Sequence, residues 1–443
     1  MAHQAHNIPW QALTAHIKPV FRKYDGADRG ESNFYLCYKS QQAKQLTYFV
    51  TSFAKNIESH TRCERKKYPE TFLPPARDDL VLSDAVVKKL NPTVMRLRQH
   101  HLKGGKDRFT DRLIDQSIWK NSIESLCCHT DDAEEFACDC IIPHAERRAA
   151  AFFRSYTQNP CYQFFDFNAK AFYNLEILKL LLLYGEMDLI LRMCAHPDVD
   201  YAMWHDRGLC YDTSSDLGWN RIYEYAIDAY LCFNICYCFP EIWEPASGRT
   251  TKEDYRNTLL YQRVLATCTS FGATSEVPVL PHRQFFGVSN DETYDERAHT
   301  SVQRGKRGYG MELWKEFLAA EKLGPDPVVE SFTINYVCKV LMHKGLPSEL
   351  VSTILGYVEP ITKNKLQKPL NPFHPANGNQ LRRYLTYCWQ LIIRCNMMAQ
   401  ALGMDLSWEA VVSRRLTELL SRGDGKWCEY RVGCEDGDQW VFI

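Results

Sequence analysis

A mainly α fold is predicted for this chain: a multi-helical globular protein with a short C-terminal β-hairpin. Three observations predict it. Apolar residues recur at helical spacing in most of the segments between glycine and proline breaks. The composition, 45% hydrophobic against 24% charged, belongs to a chain that buries enough apolar surface to offset its ordering entropy. In the tail, Lys426-Trp-Cys-Glu-Tyr-Arg-Val432 and Gln439-Trp-Val-Phe-Ile443 read as two short strands around a turn holding Gly433 and Gly437.

With 443 residues the chain has room for two or three domains. Composition shifts suggest four regions: 1–155, mainly helical; 156–275, an apolar helical core; 276–310, a linker or long loop; and 311–443, helical with the terminal hairpin.

In the first region, Pro9 to Phe21 has helical apolar spacing broken by Pro19, and Asn33 to Tyr38 reads as a short strand. Gln42 to Ser59 reads as a helix with Leu46, Phe49, Val50 and Phe53 on one face. Residues 60–110 are polar and punctuated by prolines. Their cations, among them Arg62, Arg65, Lys66 and Lys67, are diluted by Asp78, Asp79, Asp107 and Asp111, and aromatics to stack on bases are scarce, so a solvated surface is the stronger reading.

In the second region, Phe172 to Cys194 carries two helical segments, broken at His196-Pro-Asp-Val-Asp-Tyr201. Each resembles the second helix of an ankyrin repeat, but they start about a dozen residues apart where that repeat recurs about every 33. A packed helical pair explains them better. The third region, with Pro278, Pro281, Gly287, Gly305, Gly308 and Gly310, has the composition of a linker or long surface loop.

In the last region, helices are predicted over Met311–Leu323, Glu330–His343 (ended by Gly345), Gln380–Leu402 (capped at Gly403) and Ser407–Leu420 (Ser407 as N-cap). Between them lies Leu346-Pro-Ser-Glu-Leu-Val-Ser-Thr-Ile-Leu-Gly-Tyr-Val-Glu-Pro360, a short amphipathic helix with a first-turn proline and a proline stop.

The bulk numbers exclude some functions. Lys plus Arg is 53 and Asp plus Glu is 54, a formal net charge of -1, which gives no argument for nucleic acid or an anionic membrane as partner. The longest apolar run, Ile177 to Tyr184, is interrupted by Lys179 and falls well short of the roughly 20 residues a membrane span needs. No secretory signal opens the sequence, so a cytoplasmic or nuclear protein is expected, its 18 cysteines reduced and mostly acting as small buried hydrophobes.

Three constellations carry chemistry. Cys127, Cys128, His129, Cys138, Cys140 and His144 form two close groups joined by a loop of about nine residues, a donor set that suits tetrahedral zinc. Their pair spacing is tighter than a standard finger's, and cysteines are dense along the whole chain, which favours core thiols and solvated histidines. Asp131-Asp-Ala-Glu-Glu135 resembles the magnesium-binding motif of terpene cyclases, but Asn290-Asp-Glu-Thr-Tyr-Asp-Glu296 does not match the second motif those enzymes need, so an acidic surface turn is the better reading. His196, Asp198, Asp200, His205 and Asp206 could bind a metal or form a general acid/base pair, but a polar loop after a helix is the better reading. No phosphate loop, dinucleotide fingerprint, nucleophile elbow or kinase signature is present.

The 346–360 segment is similar to the opening helix of the F-box, whose pattern is a Leu-Pro pair, then Glu-Leu, then Ile-Leu and an aromatic. It resembles F-box-like proteins of the ascomycete type. The resemblance implies docking on the adaptor subunit of a cullin ubiquitin ligase through Leu346, Pro347, Glu349, Leu350, Ile354 and Leu355. Tyr387-Cys-Trp389 echoes the family's later pattern, after a proline-rich loop at 362–378. The expectation is thus a non-enzymatic interaction protein. The alternatives are an ordinary core helix at 346–360, a metal-dependent enzyme using the 127–144 or 196–206 group, and a structural or self-associating protein.

Overall fold

A computed structural model of the chain describes residues 7–20, 33–36, 43–72, 175–195, 201–206, 218–244, 253–269, 280–286, 331–347, 350–351, 366–368 and 370–420. In chain order these form α1 (Trp10–Thr14), β1 (Ile17–Val20), β2 (Asn33–Leu36), α2 (Ala43–Arg65), α3 (Leu175–Tyr184), α4 (Met187–Cys194), α5 (Asn220–Tyr237), α6 (Leu259–Thr269), α7 (Leu280–Phe286), α8 (Ser331–His343), α9 (Gly378–Ala401) and α10 (Trp408–Leu420). The mainly helical prediction holds for these residues. The predicted terminal hairpin and the predicted helix over 311–323 lie outside them.

The centre of the fold is α5. From Ile222 to Cys236 every residue except Tyr225 is buried, so the helix is enclosed on all sides. Its closest neighbour is α9, with α6 and α10 also against it, and α2 packs on both α9 and α10. One hydrophobic cluster results, running from Ile8 to Leu420. Leu46, Phe49, Val50 and Phe53 all lie in it, as the spacing in α2 predicts. An aromatic seam joins α1, α2, α5 and α9: Trp10 meets Phe49 at 5.2 Å, Phe53 meets Trp389 at 5.6 Å, and Tyr230 meets Trp389 at 5.1 Å.

Three local expectations change. The helical reading of Pro9 to Phe21 holds only to Thr14, after which Ile17–Val20 pairs antiparallel with Asn33–Leu36, Pro19 opposite Phe34. A two-stranded sheet consists of edges, where a strand tolerates a residue with no N–H. Of the predicted Asn33–Tyr38 strand, β2 covers Asn33 to Leu36. Within 276–310, α7 forms a helix with His282, Arg283, Phe285 and Phe286 all buried. Two polar residues in its buried set hid the apolar pattern. Phe285 lies flat against Tyr384 of α9, centroids 3.8 Å apart.

Helix ends follow the sequence closely. Ser407 Oγ accepts from the Ala410 N–H at 3.4 Å, as an N-cap should. At the end of α9, Gly403 has φ +69° and donates to the Gln400 carbonyl, while Met404 donates to Ala399, a Schellman closure. Gly185 closes α3 in the same way with φ +78°, and Arg394 from α9 donates to the Leu182 and Leu183 carbonyls there. Gly403→Ala, in open space, should cost about 1–2 kcal/mol from the left-handed backbone alone. Gly185→Ala should cost more, because its Cβ would lie 2.7 Å from Arg394 Nη2 and push that cap away. Denaturant midpoints check both, and a Gly185 variant as stable as the Gly403 variant would show that the Arg394 contact is slack.

Among the described residues all cysteines are free thiols, and Cys232, Cys236, Cys268, Cys388 and Cys395 are buried, as expected of small core hydrophobes. Burial pushes the Cys194 thiol up to about 12 and the Cys238 thiol up to about 11, so neither is a ready nucleophile.

Candidate functional site

Helix α8 makes no extensive contact with another described element. Of its described side chains, Tyr336, Val337 and Lys339 to His343, none joins the central cluster. Its sequence, Ser-Phe-Thr-Ile-Asn-Tyr-Val-Cys-Lys-Val-Leu-Met-His, is nonetheless apolar. Tyr336 is 61% exposed and Met342 50%, with Val337 and Val340 also exposed. Leu341 is half-buried. Tyr336 and Val340 are one helical turn apart, and Val337 and Leu341 form the adjacent pair, so a stripe faces outward.

Gly345 donates to the Met342 carbonyl and Leu346 to the Leu341 carbonyl, which closes α8 where the sequence predicts. Leu346 is half-buried and Pro347 exposed. Val351 N–H donates to the Pro347 carbonyl at 3.0 Å, a bond of helical span. Leu350 is 52% exposed, whereas Val351 is buried at 1%. The predicted docking residue Leu350 therefore points outward, beside the α8 stripe in sequence. Glu349, Ile354 and Leu355 lie outside the described residues. Five of the eight exposed large apolar side chains among the described residues fall between Tyr336 and Leu350, so the exposed apolar surface is concentrated here. Sequence reading placed α8 correctly, as an apolar helix over Glu330–His343, without showing that its stripe is exposed. Apolar spacing shows that a stripe exists and says nothing of what covers it.

A second polar group forms where the sequence placed the His196–Asp206 set. His196, Asp198 and Asp200 lie outside the described residues. His205 is half-buried and Asp206 exposed. His205 Nε2 shares a hydrogen bond of 2.9 Å with the Tyr223 hydroxyl, and its ring meets the Trp219 edge at 4.7 Å. Gly218 allows this approach, since a Cβ there would lie 2.1 Å from the His205 carbonyl oxygen. Burial lowers the His205 pKa, with Asp206 and Glu224 opposing, so the ring is neutral near pH 7. Tyr223 is pushed up by burial and stays protonated. Two neutral groups sharing a hydrogen bond hold the ring in place, and the described residues show no third hydrogen-bond partner on either. Tyr223 and Glu224 were not singled out from sequence, because their role depends on a partner 18 residues away and on α10.

The zinc set Cys127, Cys128, His129, Cys138, Cys140 and His144 lies outside the described residues, as do Asp131–Glu135 and Asn290–Glu296. Among the described residues no group of three or more His, Cys, Asp or Glu side chains could hold a metal ion. Nor is any described helix long and apolar enough to cross a membrane.

No curated protein and no solved structure matches the chain. One family profile does, over residues 11–427, which takes in all but the first residue of α1, then α2 through α10, and nearly all of the sequence. By that match the chain belongs to the family described as gramillins biosynthetic cluster protein GRA5.

Proposed function

We propose that this chain is a protein-interaction protein that docks a partner on the surface formed by α8 and the turn at Leu346–Val351. The F-box-like form of the reading makes that partner the adaptor subunit of a cullin ubiquitin ligase. One observation carries the proposal: an apolar helix with Tyr336, Val337, Val340 and Met342 exposed, followed by an exposed Leu350, all outside the hydrophobic core. Exposed apolar stripes of this kind are costly to keep in water and mark interaction sites. The family's description ties its namesake to a biosynthetic cluster. For this chain we read that as a supporting part in such a cluster, filled by binding another protein.

The test is co-purification of the intact chain with a cullin-ligase adaptor, wild type against Val340→Asp/Leu350→Asp. Both positions are exposed, so folding stability should change by no more than about 0.5 kcal/mol. Binding should weaken by about 2 kcal/mol or more, roughly thirtyfold, because a carboxylate would be buried at the centre of an apolar contact. Equal retention of both proteins would remove this surface from the reading. No retention of wild type would remove the adaptor.

A further inference from the structure

We propose that the partner element of the α8 surface is an acidic amphipathic segment: an apolar face flanked by carboxylates. This inference rests on the docking reading above and adds the chemistry of the partner. From Ser331 to Pro347 there is no aspartate or glutamate, while Lys339, His343 and Lys344 are present. All three are exposed. The nearest acidic residues in sequence, Glu330 and Glu349, bracket the segment. Lys339 and Lys344 are therefore the charged side chains of this segment, beside the exposed Tyr336 and Val340, on a chain whose formal net charge is only -1. Charges at the rim of an apolar contact select the partner and speed its arrival more than they add affinity. A complementary segment has a carboxylate opposite Lys339 and another opposite Lys344.

A basic, apolar helix also invites comparison with membrane-surface helices. Electrostatic attachment to an anionic leaflet takes a cluster of about 4–8 lysines or arginines. This surface has two lysines and one histidine. The charge is enough to orient a protein partner and too little to hold a leaflet.

The full chain would be titrated with two synthetic helical peptides sharing one leucine stripe, one flanked by glutamates and the other by lysines. The glutamate peptide should bind about five- to tenfold more tightly at low salt, the yield of two rim ion pairs, and the preference should fade as salt rises. Lys339→Glu/Lys344→Glu should reverse the preference, and Val340→Asp should weaken both peptides. Equal binding of the two peptides, unmoved by the charge reversal, overturns the inference and leaves the docking reading standing. Binding of neither peptide while the adaptor still co-purifies does the same. Failure of the peptides and the adaptor together removes both. Binding to phosphatidylserine vesicles in preference to the glutamate peptide would replace the protein partner by a lipid surface. A dimer in sedimentation that Val340→Asp dissociates would replace it by a second copy.

Discussion

Arg415→Met is expected to destabilise the fold by about 3–5 kcal/mol, because it strands a carboxylate in the protein's interior. Asp228 sits in the middle of α5 and is 1% exposed. Arg415 of α10 meets it with two donors: Nε bonds Oδ1 at 2.8 Å, and Nη2 bonds Oδ2. The remaining arm of the guanidinium bonds Glu418. One turn earlier, Glu224 is held in the same way by Arg414 and Arg221. The α5–α10 contact thus has two buried acids on one helix, each matched by an arginine of the other. Burial pushes the Asp228 carboxyl up to about 6, and Arg415 limits that rise. The sign of the pH effect follows. A raised native pKa means the folded state takes up the proton first, so this group's contribution to stability falls as pH rises from the unfolded value to the folded one. Without Arg415 the carboxyl rises further, so the variant's deficit should be largest near pH 8 and shrink towards pH 5.5. Urea midpoints across that range check it. Asp228→Leu/Arg415→Met should recover most of the loss, since a buried pair replaced by apolar groups is often neutral. A single variant within about 1 kcal/mol of wild type at pH 8 would show that water reaches Asp228.

The same residues show what the sequence could and could not disclose. Helix α2 was legible because all four residues of its stripe are apolar and the far face is polar. The ends of α9 and α10 were legible because Gly403 and Ser407 act within a few residues of themselves. Glu224 and Asp228 were not legible as core. A buried acid is acceptable only with a cation beside it; Arg221 is near Glu224 in sequence, but Arg414 and Arg415 come from α10, 190 residues after Glu224 and 187 after Asp228. Nor does a propensity scale disclose that Pro19 suits a strand with, among the described residues, only one neighbour. The proposed docking surface was half legible. Of the predicted 346–360 helix, the described residues show the Val351 to Pro347 hydrogen bond and an exposed Leu350. The neighbouring α8 stripe went unrecognised, since an exposed apolar helix and a buried one share the same spacing. Only the packing tells them apart.

Trp389→Ala should cost about 3–5 kcal/mol, the usual range for removing a large aromatic from a closed core. Trp389 was noticed in the sequence as an echo of the F-box pattern, and the structure places it at the junction of α2, α5 and α9. It is 2% exposed. Its ring meets Phe53, Tyr230 and His60 at 5.6, 5.1 and 5.5 Å, and its N–H donates to His60 Nδ1 at 2.8 Å. Trp389→Phe keeps most of the packing and gives up the hydrogen bond, so a loss nearer 1–2 kcal/mol is expected. The gap between the two variants measures the cavity left at the junction. These three helices come from residues 43–65, 220–237 and 378–401, so a single core built from them should melt as one unit. Tryptophan fluorescence and far-ultraviolet circular dichroism should then lose signal at the same urea concentration in wild type and lower it together in Trp389→Ala. Separate transitions would mean that α9 holds a domain of its own. Val340→Asp provides the contrast, because a residue outside the core should leave the midpoint in place while weakening the partner. A midpoint that falls with Val340→Asp as it does with Trp389→Ala would put α8 back into the core and take the docking surface with it.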